Sequence, residues 1–156
     1  MIREATQADV EATFQVRALT RENPISRERL ASLGITPASV ASAMARGSYR
    51  SWVAEVREEV VGFCNADAEK GEVVVLAVLP HHEGHGWGGT LLRSAVSFLR
   101  SQHQERIWLF ASPLETLRSH GFYRANGWSP TGRLADNGDE ELVYMRAGRP
   151  SGRANV

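Results

Sequence analysis

Cysteine and lysine are almost missing from this sequence. Among its 156 residues there is one cysteine, Cys64, and one lysine, Lys70. A single cysteine excludes a disulfide bond within the chain, which is consistent with a reducing compartment. Because no histidine motif accompanies Cys64, we expect a small buried side chain in a strand rather than a nucleophile.

Net charge and long apolar stretches are also absent. The 18 basic and 18 acidic residues cancel, and no face rich in lysine or arginine stands out, so we do not expect nucleic-acid binding. No apolar stretch has the length of a membrane span, and residues 1–4 lack the apolar core of a signal peptide. The sequence therefore predicts a cytoplasmic protein, and its length suits one domain.

Residues 72–92 carry the clearest chemical pattern of the chain. Residues 73–79 form an uninterrupted apolar run, which is typical of a strand buried on both faces. Pro80 ends the run, and four glycines then lead into an apolar pattern with helical spacing. These glycines are Gly84, Gly86, Gly88 and Gly89. The predicted order is strand, glycine-rich loop, helix.

A glycine-rich loop that opens a helix favours an anion. It leaves backbone N–H groups unpaired at the positive end of the helix dipole, and glycine lets a ligand approach the backbone closely. The pattern therefore predicts a phosphate or pyrophosphate site. It is not a P-loop, because no lysine follows the glycines. A dinucleotide site on Gly84-x-Gly86-x-x-Gly89 is a weaker alternative, since residues 80–83 separate these glycines from the strand.

A third interpretation rests on two motifs. They are Val78-x-Pro80-x-x-Glu83-Gly84-His85-Gly86-Trp87-Gly88-x-x-Leu91-Leu92 and Phe122-Tyr123-Arg124-Ala125-Asn126-Gly127-Trp128. The first resembles the acyl-CoA loop of the GNAT N-acetyltransferases, and the second resembles that family's later aromatic motif. Their order and separation make the resemblance specific. It runs from about residue 51 to residue 146, and more loosely over the first fifty residues.

The resemblance implies an α/β fold with a mixed, mostly antiparallel sheet flanked by helices. We expect one GNAT-like domain over residues 1–147 and a disordered tail over residues 148–156. The implied activity transfers acetyl from acetyl-CoA, as co-substrate, to a primary amine of a small molecule or peptide by direct attack. An alternative is a non-catalytic acyl-CoA-binding or regulatory module of the same fold. The sequence is compatible with a homodimer.

The cofactor contacts implied by the resemblance lie on the central strand, on the loop and near the second motif. They are Ala77, Val78, Glu83, Gly84, His85, Gly86, Trp87, Gly88, Gly89, Thr90, Ser119 and Phe122. One position departs from the family, which usually has arginine or glutamine where this chain has Glu83. The backbone amides would then carry most of the anion binding, with Glu83 turned away or acting as a helix-start acid.

Two residues are candidates for proton transfer on the same resemblance. Tyr123 would protonate the departing thiolate, which is reasonable because a phenol of pKa ~10 and a thiol of pKa ~8.5 are closely matched. Its alternative role is that of an aromatic side chain packed on the sheet. Glu72 would serve as general base, often through water, and its alternative is a solvated strand end. Asp67 and His120 are rival bases.

The acceptor region and the histidines complete the candidate residues. Arg21, Glu22 and Asn23 follow the first predicted helix, where the family tends to form its acceptor site, although they also suit a polar helix end. Three histidines surround Glu83 in the segment 81–85. Their spacing is one residue short of His-Glu-x-x-His, and the glycines argue against a helix there, so we expect no metal.

Local signals also predict several element ends. Thr6 and Asp9 form a capping box for a first helix that buries Val10, Phe14 and either Ala18 or Leu19. Ser26 and Thr36 should cap two further helices, and residues 52–66 should form a hairpin. Strands are predicted at 106–111, 128–132 and 141–146. A helix that starts from the Ser112 capping box should run to about Ala125.

Overall fold

The computed structural model describes residues 1–145 of the chain. Contacts divide these residues into two compact units, with the boundary between Glu105 and Arg106. No helix in the described part is long and apolar enough to cross a membrane. The predicted tail at 148–156 lies outside the described residues.

The first unit contains four strands and four α-helices. The strands are β1 (Ile2–Glu4), β2 (Tyr49–Val56), β3 (Glu59–Asp67) and β4 (Glu72–Val78). The helices are α1 (Val10–Leu19), α2 (Arg27–Ser32), α3 (Pro37–Ala45) and α4 (Trp87–Ser101). Short 3-10 turns occur at Gln7–Asp9 and Pro80–His82. Strands β1 to β4 are neighbours in sequence order, and each pair is antiparallel.

Helices cover both faces of this four-stranded sheet. Trp52 and Val53 are consecutive in β2, so their side chains point to opposite faces. Val53 packs with Val16 of α1, whereas the Trp52 ring lies 5.5 Å from that of Phe98 in α4. Val16 takes the inward position of α1, whereas both predicted candidates, Ala18 and Leu19, are exposed, so that part of the prediction is wrong.

The predicted caps and the predicted hairpin of this unit are confirmed. Asp9 completes the capping box with Thr6, and the side chains of Ser26 and Thr36 accept hydrogen bonds from the amides of the third helical residues. The hairpin turns at Arg57 and Glu58, which both adopt left-handed backbone angles, with φ of 51° and 67°. A two-residue turn needs these angles, and here non-glycine residues accept the strain.

The prediction that the central strand is buried on both faces is wrong at one position. Asn65 pairs with Val75 and Ala66 pairs with Val73, so Val74 has no partner on β3. This irregularity turns Val74 outward, and 40% of its surface is exposed. The strand remains buried at Val73, just before the unpaired residue, and at Ala77, further along.

The second unit contains β5 (Trp108–Ala111), α5 (Arg118–Ala125), β6 (Trp128–Leu134) and β7 (Glu140–Tyr144). Strand β7 pairs antiparallel with both β5 and β6. The unit buries Ile107, Leu109, Trp128 and Leu142, together with one carboxylate, Glu141. Arg106 and Thr131 contact Glu141 at 2.7 and 2.8 Å. Burial opposes ionisation, but these hydrogen bonds hold the pKa of Glu141 below its usual value.

The predicted start of the last helix is wrong. The Ser112 hydroxyl accepts from the amide of Leu114, and the amide of Leu117 bonds to the carbonyl of Leu114. These bonds close a separate turn, so α5 begins only at Arg118. Strand β7 ends at Tyr144, and residue 146, the predicted last strand residue, lies outside the described part of the chain.

Candidate functional site

The loop between β4 and α4 has the backbone conformation that its glycines predict. Gly84 and Gly86 adopt φ of +79° and +85°, in the left-handed region that other residues rarely enter. Gly86 is the residue that caps α4, and no side chain supplies a hydrogen bond there. A Cβ added at either glycine would meet nothing within 4 Å, so the space beside the loop is open.

The loop exposes a continuous run of amide donors. The amide of Thr90 makes the first helical bond, to the carbonyl of Gly86 at 3.2 Å. Within residues 1–145, none of the six amides from Gly84 to Gly89 has an acceptor in the hydrogen-bond network. Unpaired N–H groups at the positive end of a 15-residue helix suit a phosphate group. The residues present therefore fit the diphosphate of an acyl-CoA.

The histidines of this segment do not gather around a metal position. His85 Nδ1 lies 3.3 Å from the carbonyl oxygen of His82. In the described part of the chain no group of three or more His, Cys, Asp or Glu side chains could hold a metal ion. The half-buried Trp87 opens α4 beside these histidines.

Glu83 forms an ion pair with Arg21, one of the residues predicted for the acceptor region. Its Oε1 lies 3.2 Å from Nε of Arg21, and 18% of the Glu83 side chain is exposed against 58% of the Arg21 side chain. Glu83 has extended backbone angles and precedes the loop, so it is not the first acid of α4. Of the three predicted acceptor residues, Arg21 is thus brought to the loop.

The neighbours of Arg21 hold its turn in place. Asn23 is left-handed, with φ of 55°, and its carbonyl oxygen accepts a 2.6 Å hydrogen bond from Arg17. The carbonyl of Glu22 accepts from the Thr20 hydroxyl at 3.3 Å. Glu22 and Asn23 therefore contribute backbone groups to an ordered turn that follows α1.

The two predicted contact residues on β4 direct their N–H groups to opposite sides of the strand. The amide of Leu79 donates to the carbonyl of Val61 on β3 at 2.8 Å. Successive N–H groups of a strand alternate between its two edges, so the Val78 N–H points away from β3. By the same alternation the Ala77 N–H points toward β3. Val78 therefore carries a donor that a ligand on the side of β4 opposite β3 could use.

Glu72, the first residue of β4, lies on the same face of the sheet as Asp67 and Asn65 and forms a polar patch with them. Its partner across the β3–β4 pair is Asp67, and Glu72 is half-buried. Burial raises the pKa of Glu72; the positive charge of Lys70 opposes the shift, and Asp67 adds to it. Val78 is six residues away, a span of up to ~20 Å in an extended strand. A proton from that position would need intervening water to reach Glu72.

Three residues of this patch were not found from the sequence. Asn65 donates from Nδ2 to the Tyr49 hydroxyl at 3.1 Å, and its register partner on β2 is Ser51. Burial raises the pKa of Tyr49 to about 12; the hydrogen bond from Asn65 opposes the shift, and the charges of Asp67 and Glu72 add to it. The one available signal was an asparagine within residues 60–66, where the rest of the strand is apolar or glycine.

In the second unit the aromatic motif runs from Phe122 on α5 to Trp128, the first residue of β6. The Tyr123 ring makes edge contacts with Phe122 at 5.3 Å and with Trp128 at 6.2 Å. Arg124 donates to Glu140 at 2.8 Å and so ties α5 to β7. Three other residues of the helix, Ser119, His120 and Phe122, are half-buried. The proton-donor role of Tyr123 stays a prediction.

Comparison with known proteins shows which family this arrangement belongs to. Residues 13–128, about three quarters of the chain, match the acetyltransferase (GNAT) family. No curated protein matches the sequence significantly.

Solved structures with this fold cover almost the whole chain. The PaiA N-acetyltransferase from Thermoplasma acidophilum, solved with coenzyme A, is 17% identical with a TM-score of 0.74, over 94% of this chain and 98% of that one. Aminoglycoside 6′-acetyltransferase type Ii is 20% identical with a TM-score of 0.72, over 96% and 99%. The ribosomal-protein-S18-alanine N-acetyltransferase from Escherichia coli is 16% identical with a TM-score of 0.66, over 97% and 98%. These likenesses confirm the predicted fold class.

Proposed function

The chain belongs to the GNAT acetyltransferase family, and from that premise we propose that it transfers the acetyl group of acetyl-CoA to a primary amine of a small molecule or peptide. The proposal covers one catalytic domain over residues 1–147. Two of the similar structures are named for acceptors of these two kinds, an aminoglycoside and an alanine of a ribosomal protein. They support the class of acceptor.

The observation that carries the proposal is the run of unpaired amides from Gly84 to Gly89 at the start of α4. These amides would hold the diphosphate, and the backbone of Val78, on the side of β4 opposite β3, would pair with the pantetheine arm. When bound, acetyl-CoA supplies an acetyl thioester with a thiol leaving group. Further contacts from Ser119 and Phe122 are proposed on the family pattern alone.

In each step of the reaction a residue of this chain would stabilise charge or transfer a proton. The Val78 N–H would donate to the thioester carbonyl oxygen and stabilise the charge that develops there. Glu72 would take the proton of the attacking amine through water, as its position and half-buried carboxyl allow. Tyr123 would donate its phenolic proton to the departing thiolate. Glu22 and Asn23 would border the acceptor.

Binding and turnover of the purified chain test the proposal. Acetyl-CoA affinity is measured by calorimetry, and thiol release is followed with polyamines, aminoglycosides, amino acids and peptide N-termini. We expect binding together with amine-dependent thiol release for at least one class. Binding without turnover for any amine would favour the non-catalytic acyl-CoA module instead.

A loop variant ties this activity to the observed geometry. Gly86→Val places a side chain in the open space beside the amides and strains the left-handed residue. Gly132→Val is the matched control, because Gly132 is also left-handed with open space around it but lies in β6. We expect Gly86→Val to weaken acetyl-CoA binding by roughly 10-fold or more, in line with lost amide contacts. Equal affinity in the two variants would refute the loop assignment.

A further inference from the structure

The residue at the start of the diphosphate loop carries a negative charge, as does the diphosphate that the loop is proposed to bind. Glu83 is an acid directly before six unpaired amides, where the family usually has arginine or glutamine. An uncompensated carboxylate near a diphosphate would repel it. The structure supplies the compensation, because Arg21, 62 residues earlier in the chain, bonds to Glu83.

The contact between Arg21 and Glu83 leaves most of the N–H donors of the guanidinium available for a ligand. Arg21 uses Nε to reach Oε1 of Glu83 at 3.2 Å. An arginine carries five N–H donors in one plane, and the four on its two Nη atoms form the fork that matches phosphate oxygens. Within residues 1–145 these four donors of Arg21 have no acceptor in the hydrogen-bond network, and 58% of the side chain is exposed.

Hydrogen bonds within the protein hold the turn that carries Arg21. Arg17 donates to the carbonyl of Asn23 at 2.6 Å, and the amide of Ile25 donates to the carbonyl of Arg17 at 3.2 Å. These bonds close the turn on both sides of Arg21. Glu83, whose side chain is largely covered, then holds the exposed guanidinium beside the loop. Such preorganisation lowers the entropy cost of binding.

We propose that Arg21 is a side-chain ligand of the diphosphate in the acyl-CoA site and that Glu83 is its positioning residue. The positive charge at the start of the loop thus comes from the turn after α1 instead of from the loop itself. This inference rests on the proposed function, because it assigns a residue to the same cofactor site.

Affinity for coenzyme A, measured by calorimetry, provides the first test. Arg21→Gln should weaken binding roughly 5- to 20-fold, the range of a charge-assisted hydrogen bond at a partly exposed site. Arg21→Lys should recover part of the loss, since it keeps the charge but not the fork. Arg27→Gln is the matched control, because Arg27 also pairs with a carboxylate, Glu11, but on exposed helical surface.

Variants of Glu83 separate positioning from repulsion. If Glu83 positions Arg21, Glu83→Gln should weaken coenzyme A binding, and the double variant with Arg21→Gln should lose less than the sum of the two. If Glu83 only repels the diphosphate, Glu83→Gln should strengthen binding, and that result would overturn the inference. Thermal unfolding of each variant confirms that affinity is compared between folded proteins.

A donor without the diphosphate gives the decisive comparison. With S-acetyl-pantetheine, Arg21→Gln should leave the donor KM within about twofold of wild type, because the group that Arg21 binds is missing. A raised acceptor KM with both donors would instead make Arg21 an acceptor residue and refute the proposal. If the wild-type chain binds no coenzyme A, the proposed function fails. If it binds coenzyme A and Arg21→Gln binds equally well, only this inference fails.

Discussion

Asn65 donates a hydrogen bond from Nδ2 to the Tyr49 hydroxyl at 3.1 Å, while its own Oδ1 is buried and has no partner among the described residues. The Ser51 hydroxyl, directly across the β2–β3 pair, is in the same condition. Buried polar atoms in this state are usually satisfied by internal water. The hydrogen bond between Asn65 and Tyr49 thus links a side chain of β3 to a side chain of β2 within the polar patch.

The Asn65–Tyr49 bond should be measurable as a coupling in stability. Tyr49→Phe leaves the buried Nδ2 group without an acceptor, which should lower the free energy of unfolding by roughly 1–3 kcal/mol. Asn65→Leu removes both the donor and the unpaired carbonyl, so adding Tyr49→Phe to it should cost clearly less. Chemical denaturation of the four proteins gives the cycle. Strict additivity would show that the bond contributes nothing.

Alkaline pH should destabilise the first unit through two buried groups. Burial raises the pKa of Tyr49 to about 12 and also raises the pKa of the Cys64 thiol. Both groups lose their proton more readily in the unfolded chain, where the thiol titrates near ~8.5 and the phenol near ~10. Their contribution is therefore complete below pH ~8.5 and is lost as pH rises toward the folded pKa values.

Unfolding free energies between pH 8 and 11 test this expectation. The decline should be shallower in Cys64→Ala from about pH 9 and in Tyr49→Phe from about pH 10, with each group contributing up to ~1.4 kcal/mol per pH unit. Tyr144→Phe serves as control, because Tyr144 lies in the second unit outside this patch. The idea fails if both variants decline as steeply as the wild type.

Replacement of Glu72 should lower turnover without weakening cofactor binding. Glu72→Gln removes the proposed proton acceptor but keeps the size of the side chain, so kcat should fall by ~10²-fold or more while acetyl-CoA affinity stays unchanged. Glu69→Gln is the control, since Glu69 is an exposed acid nearby that bonds to Ser48. Because burial raises the pKa of Glu72, the acid limb of kcat should lie above the ordinary glutamate range. Retention of full kcat in Glu72→Gln would assign the base elsewhere.

Tyr123→Phe isolates the proposed proton donor. The ring contacts with Phe122 and Trp128 remain, so folding and acetyl-CoA affinity should be nearly intact, while kcat falls by ~10²- to 10⁴-fold. The deficit should shrink with an acyl donor whose thiol has a low pKa, because a better leaving group needs less protonation. Tyr144→Phe is the matched control, since its ring also contacts Trp128, at 5.4 Å. A Tyr123→Phe enzyme with more than half of wild-type kcat, when chemistry limits the rate, would make Tyr123 structural.

The features that the sequence predicted correctly are those whose physical cause is local. A capping box needs only residues from Thr6 to Asp9, and Thr36-Pro37 opens α3 for equally local reasons. The backbone conformation of the glycine-rich loop follows the same rule, because left-handed glycines and a helix start create their own unpaired amides. The capping box predicted at Ser112 failed, because the Ser112 hydroxyl accepts a hydrogen bond from the amide of Leu114 in a separate turn and α5 begins only at Arg118.

Pairings between distant residues were decided only by the tertiary structure. Arg21 meets Glu83 across 62 positions, and Asn65 meets Tyr49 across 16, through the strand register and the placement of α1. Likewise the unpaired Val74 depends on where β3 and β4 fall out of register. Sequence alone thus identified the family motifs and the loop, because each is encoded within a few residues. The charge beside the loop is determined by the contact between Arg21 and Glu83, which exists only after the chain has folded.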